Sequence, residues 1–214
     1  MNRGINPDLS FNGVIQKALM CMLSVLMLCL MTSTVLAADV NKVMKERGEI
    51  NDLSTKALTN LYEEVPSAQR VIQNCYAYAT LSNTGMKLGI FGSSHGRGVA
   101  VNNETGEKVY MRMQEMGVGL GLGVKEYDLI FVIGTETAWH SFISGDVKFA
   151  ASADASATDG MTGDSIDGAS IAANGIWVYQ MTTKGLTLEA SINGTKIYPD
   201  KELNKYDDTG KKIK

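Results

Sequence analysis

Hydrophobic positions follow two periods along the chain. Between 50 and 62, Ile50, Leu53, Ala57, Leu58 and Leu61 recur at helical spacing, which predicts one amphipathic helix. Pro66 stops that helix and can open a second over 67–76, with Ala68, Val71 and Cys75 on one face. After Gly85 the pattern becomes short extended runs. Strands are predicted at 86–91, 98–101, 108–113, 116–124 and 127–133, then at 147–153, 176–182, 186–192 and 195–198. In 127–133 both faces are apolar, Tyr127, Leu129, Phe131 and Ile133 alternating with Ile130 and Val132, so this strand belongs at the centre of a sheet. Thr135 can cap a short helix near 136–143, and Asn193-Gly194 signals a tight hairpin between the last two strands. The Ala/Ser/Asp/Gly-rich run 155–173 reads as a long loop or irregular edge. The predicted fold is α+β: a β-rich single domain whose curved or barrel-like, mainly antiparallel sheet is joined by N-terminal helices and one short helix.

Within this pattern the run 117–124 stands apart, because Gly117, Gly119, Gly121 and Gly123 alternate with aliphatic residues. Read as a strand, it has one apolar face and one face with no side chains. Glycine loses entropy inside a strand, so something must approach the backbone closely on that side. The candidates are a packed helix, a sharply curved neighbouring sheet, or an acyl chain; internal packing is the simplest of these.

The chain opens with Arg3 and Lys17 before an apolar run from 18 to 31, then Thr34-Val35-Leu36-Ala37-Ala38 with small residues where a signal peptidase cuts. This predicts a leader over 1–37, cleaved after Ala37, and a periplasmic or secreted product. Cys21 and Cys29 follow the bulky Met20 and Leu28, which argues against a lipoprotein cleavage site. Their loss leaves Cys75, so the product has no internal disulfide. Charge is 20 Lys plus Arg against 23 Asp plus Glu, and no basic block precedes the tail residues Lys211, Lys212 and Lys214. Nucleic acid is therefore not an expected partner.

Catalytic chemistry finds little support. His95 and His140 have no carboxylate or nucleophile at a known motif spacing, and neither a Gly-x-Ser-x-Gly elbow nor a metalloprotease pair is present. Cys75 sits among aromatic, aliphatic and amide neighbours, as a buried small residue would. Asp154, Asp159, Asp164 and Asp167 supply oxygen ligands but not at EF-hand spacing. No cofactor, metal site or enzymatic activity is expected.

The order of features carries a resemblance. Gly89, Gly92, Gly96-Arg97-Gly98-Val99, the alternating glycines, Asp128-Leu129-Ile130, Thr137-Ala138-Trp139-His140-Ser141-Phe142, Lys184-Gly185-Leu186 and Ser191-Ile192-Asn193-Gly194-Thr195 together resemble the SYLF, or Ysc84-type, lipid-binding domain. The resemblance runs from about 52 to 198. It implies a lipid- or phospholipid-binding module, in the manner of secreted bacterial members. The partners it implies are an anionic phospholipid or membrane surface and, secondarily, an envelope protein. The expected organisation is a leader (1–37), a flexible N-terminus (38–48), a SYLF-like domain (49–200) and a polar tail (201–214). Candidate lipid-contacting residues are Gly119 and Gly121 on the apolar side, with Arg97, Lys148 and Lys184 for phosphate. The alternative is a structural or protein-interaction module of the periplasm without a ligand.

Overall fold

Apolar residues on both faces place a strand between two layers, and residues 123–133 occupy that position. The computed structural model describes residues 39–88, 91–118, 123–147, 149, 166–182, 185–187 and 195–213, with Met20 and Met22; at 84–94, 115–125 and 187 it describes backbone alone. The expected leader, except for those two methionines, lies outside the described residues. The chain falls into two compact units, Met1–Met44 and Lys45–Lys214. In the first, residues 39–44 are helical. No helix among the described residues is long and apolar enough to cross a membrane.

The second unit starts with helix α1 (45–64), so part of the segment expected to be flexible is helical. Ile50, Ala57 and Leu61 are buried along one stripe, whereas Leu53 lies at its margin, 38% exposed. Helix α2 (Pro66–Asn74) has proline in its first turn and buries Ala68 and Ile72. Then come β1 (Ala77–Leu88), β2 (Phe91–Asn102), β3 (Lys108–Val118), β4 (Gly123–Ile133), α3 (Glu136–Ser144), β5 (Ser170–Ala173), β6 (Ile176–Thr182), β7 (Gly185–Thr187) and β8 (Thr195–Pro199). They form one curved antiparallel half-barrel sheet in the order β5-β6-β4-β1-β2-β3-β8, with β7 also pairing β6. The α+β architecture read from sequence is the observed one.

Each face of this sheet has its own core. Toward α3, Ala77, Ala79, Leu81, Leu129, Phe131 and Ile133 pack with Trp139 and Phe142. Toward α1 and α2, Ile130, Val132, Trp177 and Tyr179 pack with Ala57, Leu61, Ala68 and Ile72. Thr135 caps α3 by accepting from the Ala138 N–H at 3.2 Å, and Gly145 closes it in the left-handed conformation, φ 82°.

Several expected elements differ. β1 starts at Ala77, well before residue 86. Its Ala77, Ala79 and Asn83 carry little strand propensity, and pairing to β2 and β4 on both sides overrides that. The expected strand 116–124 is divided: β3 ends at Val118 opposite Phe91, and β4 begins at Gly123 opposite Lys87. Gly119 and Gly121 lie outside the described residues. Close backbone approach occurs instead in β2, where a β-carbon on Gly98 would stand 1.8 Å from the Thr80 carbonyl oxygen. β8 pairs with β3, while β7 pairs with β6, so the hairpin expected around 193–194 is not among the described pairings. Residues 147 and 149 are not in a strand, and Ser170–Ala173 of the expected loop forms β5.

Candidate functional site

The face of the sheet beneath α1 changes character along the strands. Tyr179, Ile130, Thr80, Val99 and Tyr110 form one lateral row, all buried. Two residues nearer the tip of the β1–β2 hairpin, the next row reads Met181, Asp128, Ser82, Arg97, Arg112 and Tyr198. Period-two alternation keeps all six on the helix side, so an apolar seam gives way to a polar one.

At the acidic end of this row, the Ser82 hydroxyl donates to Asp128 Oδ1 at 2.6 Å. Burial raises the Asp128 pKa above the ordinary value; the Ser82 hydrogen bond and Lys56 oppose this, and Glu126 adds to it. Leu53, Lys56 and Asn60 of α1 roof a recess of about 260 Å³ above Ser82 and Asp128.

The basic end is more open. Arg97 is 49% exposed and stands 3.7 Å from Glu49 of α1. It lies mid-strand with Ser82 and Arg112 as cross-strand partners. Arg112, 52% exposed, donates through Nε to Asp200 Oδ2 at 2.5 Å. The other Asp200 oxygen accepts the N–H groups of Glu202 and Leu203 at 2.9 and 3.1 Å. Lys148 and Lys184 lie outside the described residues, so their relation to Arg97 is not part of this geometry.

Sequence reasoning missed the anchor of this region. Arg47, 5% exposed, donates from Nε to the Leu203 carbonyl at 2.9 Å and from its terminal nitrogens to the carbonyls of Tyr206 and Asp207. It also pairs with Asp208 at 3.3 Å and lies over the Tyr110 ring, 4.7 Å from the centroid. The Asn204 amide meanwhile accepts from the Tyr110 N–H and donates to the Tyr110 carbonyl, extending the sheet edge with a side chain. Residues 201–208, expected as polar tail, are thereby tied to α1 and β3, with Leu203 and Tyr206 buried. The available signal was the position of Arg47 on the apolar stripe, four residues after Val43 and three before Ile50.

The remaining reactive groups are placed structurally. Burial pushes the Cys75 thiol up to about 11, so it is a packed thiol rather than a thiolate nucleophile. Tyr179 is likewise pushed up to about 12, first by burial and then by Asp167. His140 is exposed on α3, 3.7 Å from Glu136. Among the described residues no group of three or more His, Cys, Asp or Glu is placed to hold a metal ion. A recess of about 580 Å³ at the start of α3 is lined by Thr135, Ser141, Asp146 and Asn174, without a cation.

Comparison with known proteins places this geometry in a family context. Residues 114–207, from within β3 to just beyond the C-terminal turn, match the Ysc84 family model, described as "Las17-binding protein actin regulator". The chain is also 31% identical over 163 residues to Beta cell expansion factor A of Aeromonas veronii, an alignment covering 76% of this chain and 60% of that protein. The chain thus spans less than two thirds of that relative's length. Arg47, Arg97 and Arg112 precede the segment matched by the family model. From within β3 through residue 207, the chain is similar to Ysc84-type proteins.

Proposed function

We propose that this domain is a non-enzymatic module that binds anionic phospholipid at a membrane surface of the cell envelope, after export and removal of residues 1–37. The observation carrying the reading is the half-exposed Arg97, whose ion pair with Glu49 spans 3.7 Å. An exposed pair of that length contributes little, so the guanidinium is available to a competing phosphate. Leu53, exposed on the neighbouring helix, offers apolar contact beside it. Lys148 and Lys184 are proposed as further phosphate contacts, and the side of the chain at Gly119 and Gly121 as a wall for an acyl chain. The likeness to Ysc84-type domains supports a binding rather than catalytic role.

A second reading has its own support. The described part of the α3 face is a filled core, with Ala77, Ala79, Leu81 and Phe131 all at 0% exposure, which favours a structural or protein-binding module over one that swallows a lipid. The two readings separate in one experiment. Arg97→Ala combined with Lys184→Ala should weaken cosedimentation with phosphatidylglycerol vesicles more than with phosphatidylcholine vesicles, and the difference should shrink as salt rises. Native mass spectrometry of the purified protein should show co-purified phospholipid. Absence of both lipid and vesicle binding would leave the protein-binding module as the surviving reading.

A further inference from the structure

Arg97 and Arg112 are direct cross-strand partners on β2 and β3, facing the same side of the sheet. Like charges directly opposite each other destabilise a sheet unless something neutralises them. The structure provides two carboxylates of different character. Asp200 is 3% exposed, its second oxygen engaged by two backbone N–H groups, and it holds Arg112 through Nε. Glu49 is 48% exposed and stands 3.7 Å from Arg97, beyond hydrogen-bonding distance. One acid is built in, and the other can be displaced.

We infer that Arg97 and Arg112 together form a site for a phosphate group, with Glu49 of α1 as its built-in competitor. Each guanidinium carries five N–H donors in a planar fork. Arg112 uses Nε on Asp200, which leaves its terminal amino groups for an anion. A phosphate has enough acceptor oxygens to bridge both forks and relieve the like-charge contact, which one distant carboxylate does poorly. Occupation of the site releases Glu49, so anion binding is coupled to the hold of α1 on the sheet. The inference rests on the phospholipid reading only for the source of the phosphate.

The test compares Glu49→Gln, Arg97→Gln and Arg97→Lys with the parent chain. Calorimetry with inorganic phosphate and pyrophosphate forms one arm, and cosedimentation with phosphatidylglycerol or phosphatidylcholine vesicles forms the other. Removing the competitor should tighten anion binding about two- to fivefold, the range an exposed ion pair is worth. Arg97→Gln should weaken it by at least as much, Arg97→Lys should fall between, and phosphatidylcholine binding should not respond. A response in the vesicle arm alone assigns the site to a lipid headgroup, and a response in the phosphate arm assigns it to soluble phosphate; either supports the site. Binding to no vesicle by any variant would remove the phospholipid reading, and the phosphate arm alone would then decide the site. Parent-like binding of both Glu49→Gln and Arg97→Gln in both arms overturns the inference.

Discussion

The two faces of the sheet bury similar apolar material but end differently. The α3 face is apolar from Ala172 and Val178 through Phe131 and Leu81 to Met111 and Ile197, and Asn83, the polar residue that follows Leu81 on this face, is still buried at 2%. The face under α1 and α2 is apolar only where Ile130, Val132 and Tyr179 meet the helices, and then passes to Asp128, Ser82, Arg97 and Arg112. A face filled throughout supplies stability; a face with a polar margin can exchange partners without unfolding. The recognition proposed above accordingly uses the helix side.

Substitutions should separate the two faces most sharply at their centres. Phe131 is fully buried between Phe142, 5.2 Å away by ring centroid, and Phe149 at 5.7 Å. Phe131→Ala should cost about 3–5 kcal/mol in chemical denaturation. Arg97→Gln on the other face should stay within about 0.5 kcal/mol of the parent. Equal losses would mean that the polar margin is structural, which would end the contrast.

Gly98 tests how the curvature of the α3 face is achieved. A methyl there would meet the Thr80 carbonyl oxygen and stand 2.8 Å from the Leu81 Cα, backbone that cannot rotate away. Gly98→Ala should therefore cost on the order of 3 kcal/mol. Gly48→Ala, with nothing within 4 Å of the added methyl, should instead gain about 1 kcal/mol from helix propensity. Thermal unfolding of the pair measures both; a tolerated Gly98→Ala would show that β1 and β2 can separate.

These glycines also show how far the sequence was legible. Its alternation pointed to close backbone approach, and Gly96 and Gly98 in β2 supply it where the described geometry can be read. The longer alternation at 117–124 reads as one strand because periodicity does not register that Val118 ends one strand and Gly123 begins another. Residues 127–133 and the Thr135 cap were legible because their signals are local. β1 was not, since Ala77, Ala79 and Thr80 become strand through their neighbours. Among the candidate cations, the sequence singled out Arg97 but not its cross-strand partner Arg112: register across the β2–β3 hairpin is a tertiary fact. The same limit concealed Arg47, whose hydrogen-bond partners lie 156 or more residues away.

Arg47 offers a test of what holds the polar margin in place. Its guanidinium is buried against the carbonyls of Leu203 and Tyr206, so Arg47→Ala strands several acceptors and removes the stacking on Tyr110. The expected loss is about 2–3 kcal/mol, from charged hydrogen bonds and unsatisfied groups. Proteolysis should begin in residues 201–213 at lower protease in the variant, while the α3 face remains protected in hydrogen exchange. Uniform loss of protection across both faces would show that the C-terminal segment supports the whole sheet rather than its helix side.

Asp128 gives the smallest effect, and its sign distinguishes the polar margin from the sealed face. Burial raises its folded pKa, so the native state binds a proton more readily than the unfolded chain does. Below the ordinary aspartate value both states are protonated and no penalty exists. As pH rises through the interval up to the elevated value, the unfolded state ionises first and stability declines; above that interval the penalty is constant. Asp128→Asn removes the titration while retaining an oxygen to accept the Ser82 hydroxyl. Denaturation across pH should then show the variant gaining on the parent as pH rises through that interval, with no further gain beyond it. Ser82→Ala should extend the upper end of the interval, because it removes a hydrogen bond that favours the charged carboxylate in the folded state. A stability difference that is flat with pH, or that grows on acidification, would place Asp128 in a solvated environment and take the polar row out from under α1.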